Sequence, residues 1–340
     1  MDSLSQIALG SAVGLVAMGR RTAPWKAALW GAVAGTLPDL DVLIDHGDPI
    51  RNMVLHRAET HALFWLTLFA LPFGALVARL SGEWDRRRRW CWAMWLVLVT
   101  HPLLDGMTVY GTRLGLPFTN HPFAVGSVFI IDPLYTLALT VGVVWALRRG
   151  NAGPGWRANV AGLTLSTLYL AWGVLAQALV TDTARQALAA QGIRAEHLLV
   201  TPTPFNTLLW RVLVVDGAYY HEGFRSLLDA EPAMHFDRFE RGSALAAELQ
   251  GIEGVRRLQA FSLGFWALWE QGGGEGSTMG ITDLRMGQEP HYSFRFAVAR
   301  RHSPPRALPV AVQLGGRPDL GRGLTWLWRR ALGAPWPPPR

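Results

Sequence analysis

The chain has 340 residues, of which 50% are hydrophobic and 17% are charged, and its formal net charge is +7. Because globular domains average about 25% charged residues, this composition excludes a disordered chain or a collagen-like repeat. The single cysteine, Cys91, excludes a disulfide framework and a cysteine metal cluster. The 16 tryptophans and 36 glycines are typical of membrane proteins, where tryptophan anchors the interfaces and glycine lets helices approach closely.

Six apolar runs in the first half predict an α-helical polytopic membrane domain of about six helices. They cover residues 7–18, 27–44, 62–80, 90–104, 128–147 and 158–180. The third, fifth and sixth runs approach the roughly 20 residues that cross a bilayer, whereas the others are shorter or interrupted. The first two runs contain Gly10 and Gly14, and Gly31 and Gly35. This four-residue spacing predicts close packing of the two helices.

Basic residues between the apolar runs predict an orientation in the membrane. They cluster at 20–26, 86–89 and 148–157, which share one side if the chain crosses six times. The positive-inside rule makes that side cytoplasmic. The N-terminus and everything after residue 180 then face outward. No nucleic-acid-binding motif accompanies the positive charge, so membrane lipid is the expected partner and nucleic acid is not.

A change of composition near residue 181 predicts the end of the membrane domain at 1–181 and a smaller soluble α+β domain over 182–318. Residues 209–215 and 218–223 have strand composition and flank an Asp-Gly pair at 216–217. Because Asp-Gly favours type I′ turns, we expect a β-hairpin here. The topology places this domain on the outer side.

The last segment, 319–340, is a basic tail rich in tryptophan. It combines Trp326 and Trp328 with Arg329 and Arg330. This pattern predicts an amphipathic helix at a membrane interface, or alternatively a frayed basic terminus.

Four polar clusters interrupt the apolar half, at 38–41, 56–61, 101–105 and 132–133. Carboxylates at a membrane edge are costly to keep and therefore indicate function. Pro38 disfavours helical geometry before it, so Asp39 and Asp41 are expected at a helix break. His101 and Asp105 are four residues apart, share one helix face and can reach one ion.

Together the clusters predict a metal centre at the outward end of the membrane domain. The predicted ligands are Asp39, Asp41, His61, His101 and Asp105. His56 is predicted as a weaker ligand or an acid–base group, and Asp132 as a residue that orients a ligand or activates water. Nitrogen and oxygen ligands without thiolate suit Zn²⁺, with Mn²⁺ or Fe²⁺ as alternatives.

Each cluster also has an interpretation without a metal. The two aspartates can mark a solvated helix boundary, and 56–61 can be a polar collar at the interface. The pair His101 and Asp105 can satisfy each other by a buried hydrogen bond. Asp132 precedes a proline, which is a common way to start a helix.

The motifs resemble a known family over residues 1–180. The segments MDSLSQIALG at 1–10, GTLPDLD at 35–41, HRAETH at 56–61 and THPLLD at 100–105 are similar to the LexA-regulated, membrane-bound metal-dependent hydrolases of bacterial inner membranes. A remote similarity connects the same pattern to zinc-dependent phospholipase C and zinc nucleases, which implies phosphodiester hydrolysis. The chain departs from the pattern at Gln6, where some relatives have histidine, which implies one fewer ligand.

These observations favour an inner-membrane metal-dependent hydrolase that acts on a phosphoester, with a lipid-linked one as a candidate because the site lies at the membrane surface. One alternative is a non-catalytic membrane protein with a structural or regulatory metal site. A second alternative is a transporter or proton relay, which predicts polar residues spread through the bilayer rather than gathered at one end.

Overall fold

A computed structural model gives the fold and describes residues 1–231, 233–315 and 319–340. The chain divides into two compact units. The first unit comprises Met1–Leu43, His56–Leu175 and Pro204–Asn206, and the second comprises Ile44–Leu55, Ala176–Thr203 and Thr207–Arg340. The second unit therefore includes a segment from inside the predicted membrane domain.

The first unit is helical. Its helices are α1 (Ser3–Met18), α2 (Pro24–Thr36), α4 (Leu63–Leu80), α5 (Arg87–Gly106), α6 (Pro133–Arg149) and the first part of α7 (Pro154–Ala190), while α3 (Pro49–Leu55) belongs to the second unit. Local sequence explains where several of them begin. The Asp2 carboxylate accepts hydrogen bonds from the first backbone N–H groups of α1. Proline occupies the first position of α2, α6 and α7, where its missing N–H costs nothing.

Helices α1 and α2 cross at their glycines, as predicted. A Cβ atom added to Gly31 would lie 2.2 Å from the Gly10 carbonyl oxygen, and one added to Gly35 would lie 2.6 Å from that of Gln6. Only glycine permits so close an approach of the two backbones. The crossing brings the end of α2 against the first turns of α1.

Replacing Gly31 with alanine is expected to destabilise the first unit by about 1–3 kcal/mol, because a new methyl group in a packed crossing forces the backbones apart. The midpoint of thermal unfolding in detergent measures this effect. Gly251→Ala is the matched control, since nothing lies within 4 Å of a Cβ at that position. Equal midpoints for the two variants would contradict a crossing distance set by Gly31.

The prediction of about six membrane-spanning helices is wrong. Among the residues that the structure describes, two helices, α4 and α7, are long and apolar enough to cross a membrane. With 16 and 13 residues, α1 and α2 extend about 24 and 20 Å at 1.5 Å per residue, short of a bilayer core of about 30 Å. Helix α5 begins with three arginines and carries His101 and Asp105, and α6 ends with two arginines. These charged and polar residues shorten the apolar part of both helices.

Apolar residues in the helices that are not candidate spans instead form a large part of the core of the first unit. Trp90, Met94 and Leu98 of α5 are fully buried, and so is Leu139 of α6. Composition therefore overestimated the number of spans, because it counts apolar residues without distinguishing those that face lipid from those that face other helices.

The second unit is rich in antiparallel sheet, which agrees with the predicted α+β character. One sheet has the order β1 (His197–Pro202), β2 (Leu209–Asp216), β3 (Tyr219–Ser226), β4 (Phe236–Glu240). The second sheet has the order β10 (Arg306–Gln313), β9 (Arg295–Arg300), β6 (Thr278–Asp283), β5 (Trp266–Gln271), and β7 (Gly287–Gln288) pairs with β8 (His291–Tyr292). Helices α8 (Ala246–Leu249), α9 (Glu253–Phe261) and α10 (Leu320–Ala331) belong to the same unit, as do α3 and the last part of α7.

The predicted hairpin is confirmed, with a turn shifted by one residue. Strands β2 and β3 pair from Leu209 opposite Ser226 to Asp216 opposite Tyr219. Asp216 thus ends the strand, and the turn consists of Gly217 and Ala218, of which only Gly217 has a positive φ. Positive φ at the first turn residue alone is typical of type II′ rather than type I′.

Candidate metal centre

Four of the predicted ligands lie together in the first unit. Asp39, His61, His101 and Asp105 each offer one ligand atom, and these atoms lie within 4.8 Å of one another. Asp39 belongs to the 3₁₀ turn Pro38–Leu43 that follows α2, and His61 ends a short turn before α4. His101 and Asp105 lie one turn apart near the end of α5, as their spacing predicted.

Five of the six distances among the four ligand atoms are close to those of a tetrahedral ion site. His61 Nε2 lies 3.2 Å from Asp39 Oδ1, 3.2 Å from Asp105 Oδ2 and 3.1 Å from His101 Nε2. His101 Nε2 lies 3.5 Å from Asp39 Oδ1 and 3.4 Å from Asp105 Oδ2. Ligands about 2.0–2.1 Å from a tetrahedral zinc ion stand about 3.4 Å apart. The residues present therefore fit a zinc-sized ion.

Hydrogen bonds behind the two imidazoles orient them for metal binding. His101 Nδ1 donates to the Gly35 carbonyl oxygen at 2.7 Å. The Thr60 hydroxyl donates to Asp41 at 2.7 Å and accepts from His61 Nδ1 at 2.9 Å. Because each Nδ1 holds the proton, each Nε2 directs a lone pair toward the cluster.

The cluster thus brings acceptor atoms face to face. Two imidazole nitrogens meet the carboxylates of Asp39 and Asp105, and Asp105 Oδ2 is buried without a hydrogen-bond partner. Buried acceptors without donors are costly. A divalent cation at their centre would satisfy all four.

Both aspartates of the 3₁₀ turn are held in the charged form. Burial opposes the charge of Asp39, but hydrogen bonds from His101 and His61, in the form in which their Nε2 atoms carry protons, lower its pKa below the ordinary value. A metal ion would replace those protons. Burial likewise opposes the charge of Asp41, and hydrogen bonds from His56 and Thr60 lower its pKa. Both groups are therefore carboxylates near neutral pH.

The structure places Asp41 and His56 beside the four-residue cluster. Asp41 accepts hydrogen bonds from His56 Nδ1 at 2.7 Å, from the Arg57 backbone N–H at 3.0 Å and from Thr60. It lies 3.7 Å from His61 Nδ1, on the side away from the ligand nitrogen. The His56 and His61 rings are 6.0 Å apart. Asp41 and His56 thus form an acid–imidazole pair next to the centre.

Asp132 lies outside the four-residue group and begins a helix. Its Oδ1 accepts hydrogen bonds from the backbone N–H groups of Leu134 and Tyr135, and its Oδ2 accepts from the Tyr169 hydroxyl at 2.8 Å. Burial raises its pKa. The structure therefore gives this residue the role of the N-cap of α6.

Two further residues contact the centre without having been predicted as site residues. The Gln6 amide donates to Asp105 Oδ1 at 3.1 Å, together with the α-amino group of Met1. The buried Arg57 guanidinium lies 3.4 Å from Asp105 Oδ2 and 5.0 Å from the centroid of the Tyr110 ring. Arg57 follows His56 in the motif and has a positive φ of 63°. The sequence motif contains Arg57, but only the fold shows that the Arg57 guanidinium balances the charge of Asp105.

The part of the chain that the structure describes thus contains two candidate membrane helices and a His–Asp centre that fits a divalent metal ion. The family model described as YdjM inner membrane protein matches residues 1–180, and the chain belongs to this family. No curated protein and no solved structure matches the chain. The predicted inner-membrane family is therefore confirmed, whereas hydrolase activity and the similarity to phospholipase C stay predictions.

Proposed function

We propose that this inner-membrane protein is a metal-dependent hydrolase that acts on a phosphoester. The observation that carries the proposal is the convergence of four acceptor atoms within 4.8 Å of one another. Asp39, His61, His101 and Asp105 would hold the ion, with Zn²⁺ favoured over Mn²⁺ or Fe²⁺ by the ligand set and spacing. Such an ion lowers the pKa of bound water and neutralises charge on phosphoryl oxygens.

The cluster is open to solvent on one side, which favours catalysis over a purely structural role. The Asp39 side chain is 20% exposed, whereas those of His61, His101 and Asp105 are at most 1% exposed. Structural metal sites are closed, and catalytic sites keep a position accessible to water or substrate. Water and substrate would therefore approach past Asp39.

His56 is suited to move a proton in this reaction. Its Nδ1 is held by Asp41, and its side chain is 22% exposed. An imidazole held at one nitrogen by a carboxylate is left with the other nitrogen to accept or release a proton. We assign proton transfer to His56 and its orientation to Asp41.

Exposed apolar residues beside the centre support a lipid-linked substrate. Leu40, Val42 and Leu43 share the 3₁₀ turn with Asp39 and are more than half exposed. Exposed apolar side chains next to a polar site are typical of surfaces that meet lipid. The three residues, here called the apolar rim, would contact the hydrocarbon part of a substrate whose phosphoester reaches the centre.

The ends of the helices in the first unit support an outward-facing centre. The four ligands lie where α2 and α5 end and just before α4 begins. Basic residues lie at the opposite ends of the helices, at Arg79, Arg87, Arg149 and Arg157. Under the positive-inside rule the basic ends face the cytoplasm. This orientation uses the two candidate spans, α4 and α7, and places the chain after α7 on the outer side.

The test uses the full chain purified in detergent. We expect bound zinc or manganese by ICP-MS, and hydrolysis of phosphodiesters that a chelator abolishes and the same metal restores. Phosphatidylcholine is expected to be cleaved with higher kcat/KM than a soluble nitrophenyl phosphodiester. Protein that holds the metal but turns over no phosphoester would overturn the proposal and favour a structural metal site.

A double substitution in the apolar rim tests whether the substrate is a lipid, independently of whether the protein hydrolyses phosphoesters. L40S together with V42S is expected to lower kcat/KM for phosphatidylcholine and to leave the soluble diester unaffected, because the rim contacts no reacting atom. The matched control is L228S, a leucine of the second unit that is 52% exposed. Equal losses on both substrates would contradict a lipid-binding rim.

A further inference from the structure

Helix α10 is fixed on the second unit by one of its faces. Trp326, Leu327 and Ala331 are buried, and the Trp326 ring meets Phe224 edge-on with centroids 4.9 Å apart. Arg330 pairs with Asp229. These contacts prevent the helix from rotating about its axis.

A second side of α10, next to the buried residues, carries a row of exposed apolar residues. Leu320, Leu324 and Trp328 of the helix and Leu332 directly after it are 70%, 41%, 47% and 69% exposed. Because residues four apart lie on one side of a helix, they form a continuous stripe, here called the outer stripe. Since Trp326, Leu327 and Ala331 occupy the inner face, the helix cannot bury the outer stripe by turning over.

Positive charge flanks the outer stripe. Arg322 and Arg329 are exposed and lie beyond the edge of the outer stripe that Leu332 forms, and the Arg329 guanidinium lies 4.2 Å from the centroid of the Trp336 ring. No acidic residue occurs within Leu320–Ala331. A helix with leucine and tryptophan beside arginine is suited to the boundary between acyl chains and anionic headgroups.

We propose that α10 binds the surface of an anionic membrane, with the outer stripe among the acyl chains and Arg322 and Arg329 at the lipid phosphates. Charge complementarity and membership of an inner-membrane family select lipid over a protein partner. The contact would hold the second unit at the membrane surface. It is independent of the metal centre and of any hydrolytic activity.

The chain allows a single-label test because Cys91 is its only cysteine. In a C91S background, W328C carries an environment-sensitive fluorophore, and the full chain is reconstituted in nanodiscs of phosphatidylcholine with or without phosphatidylglycerol. We expect blue-shifted emission, quenching by brominated lipid and protection from iodide, all stronger with phosphatidylglycerol. The matched control is E275C, at a side chain that is 84% exposed in another part of the second unit, which should respond to iodide alone.

Substituting Arg322 or Arg329 tests how much positive charge contributes to the binding of anionic lipid. R322Q and R329Q are each expected to lower the ratio of lipid-bound to free probe about fivefold, the value for one basic residue near an anionic surface. A label at L324C repeats the measurement at a second position of the outer stripe. Lipid quenching at 324 and 328 no greater than at 275 would overturn the proposal. Protection from iodide in nanodiscs without quenching by brominated lipid would also overturn it, because the stripe would then be covered by protein.

Discussion

Replacing His101 with alanine is expected to weaken metal binding by more than 100-fold. Loss of an outer-shell partner alone costs about 10–100-fold, and His101 supplies a ligand nitrogen within 3.5 Å of the three other ligand atoms. Asp105→Asn should act similarly, because it removes the charge of a carboxylate oxygen that has no hydrogen-bond partner. Competition with a fluorescent chelator measures the affinity, and ICP-MS measures the bound equivalents.

His121→Ala is the matched control, since this histidine is exposed in the same unit and lies outside the cluster. It should retain the full metal content. Thr60→Val removes no ligand atom but removes the hydrogen bond behind His61 and the one to Asp41, and it should give an intermediate loss, about 10–100-fold. Wild-type affinity in the His101 variant would exclude the four-residue cluster as the binding site.

Replacing His56 with glutamine is expected to lower kcat on a phosphodiester by about 10²–10⁴-fold, the usual contribution of a general acid or base. Metal content should stay unchanged, because His56 is not one of the four residues whose ligand atoms converge. Glutamine keeps a polar side chain of similar length beside Asp41 but has no titratable nitrogen. Steady-state kinetics and ICP-MS on the same preparation measure the two effects.

Asp41→Asn provides a graded comparison, since it keeps the shape of the side chain while weakening its hold on His56 and Thr60. Its kcat should lie between those of wild type and His56→Gln. Metal loss in the His56 variant would instead identify His56 as a ligand, which was the alternative role predicted from its position. Unchanged kcat and unchanged metal content would show that His56 does not transfer a proton in the reaction.

The sequence determined the features that depend on neighbouring residues along the chain. The four-residue spacing of His101 and Asp105 places both on one face of α5, independently of how the rest of the chain folds. The glycines of α1 and α2 likewise predicted a close crossing, because only residues without a side chain permit it. The hairpin of β2 and β3 follows from a strand pattern that a turn interrupts.

Only the tertiary structure decided which polar residues belong to the centre. Asp39 and Asp132 look alike in sequence, since each is next to a proline, yet one faces two imidazoles and the other caps α6. The difference arises from contacts between residues far apart in the chain, such as Asp39 with His61 and His101. The tertiary structure also decided the number of candidate membrane helices, because an apolar side chain gains similar free energy in a helix–helix core and in lipid, and packing determines which of the two it meets.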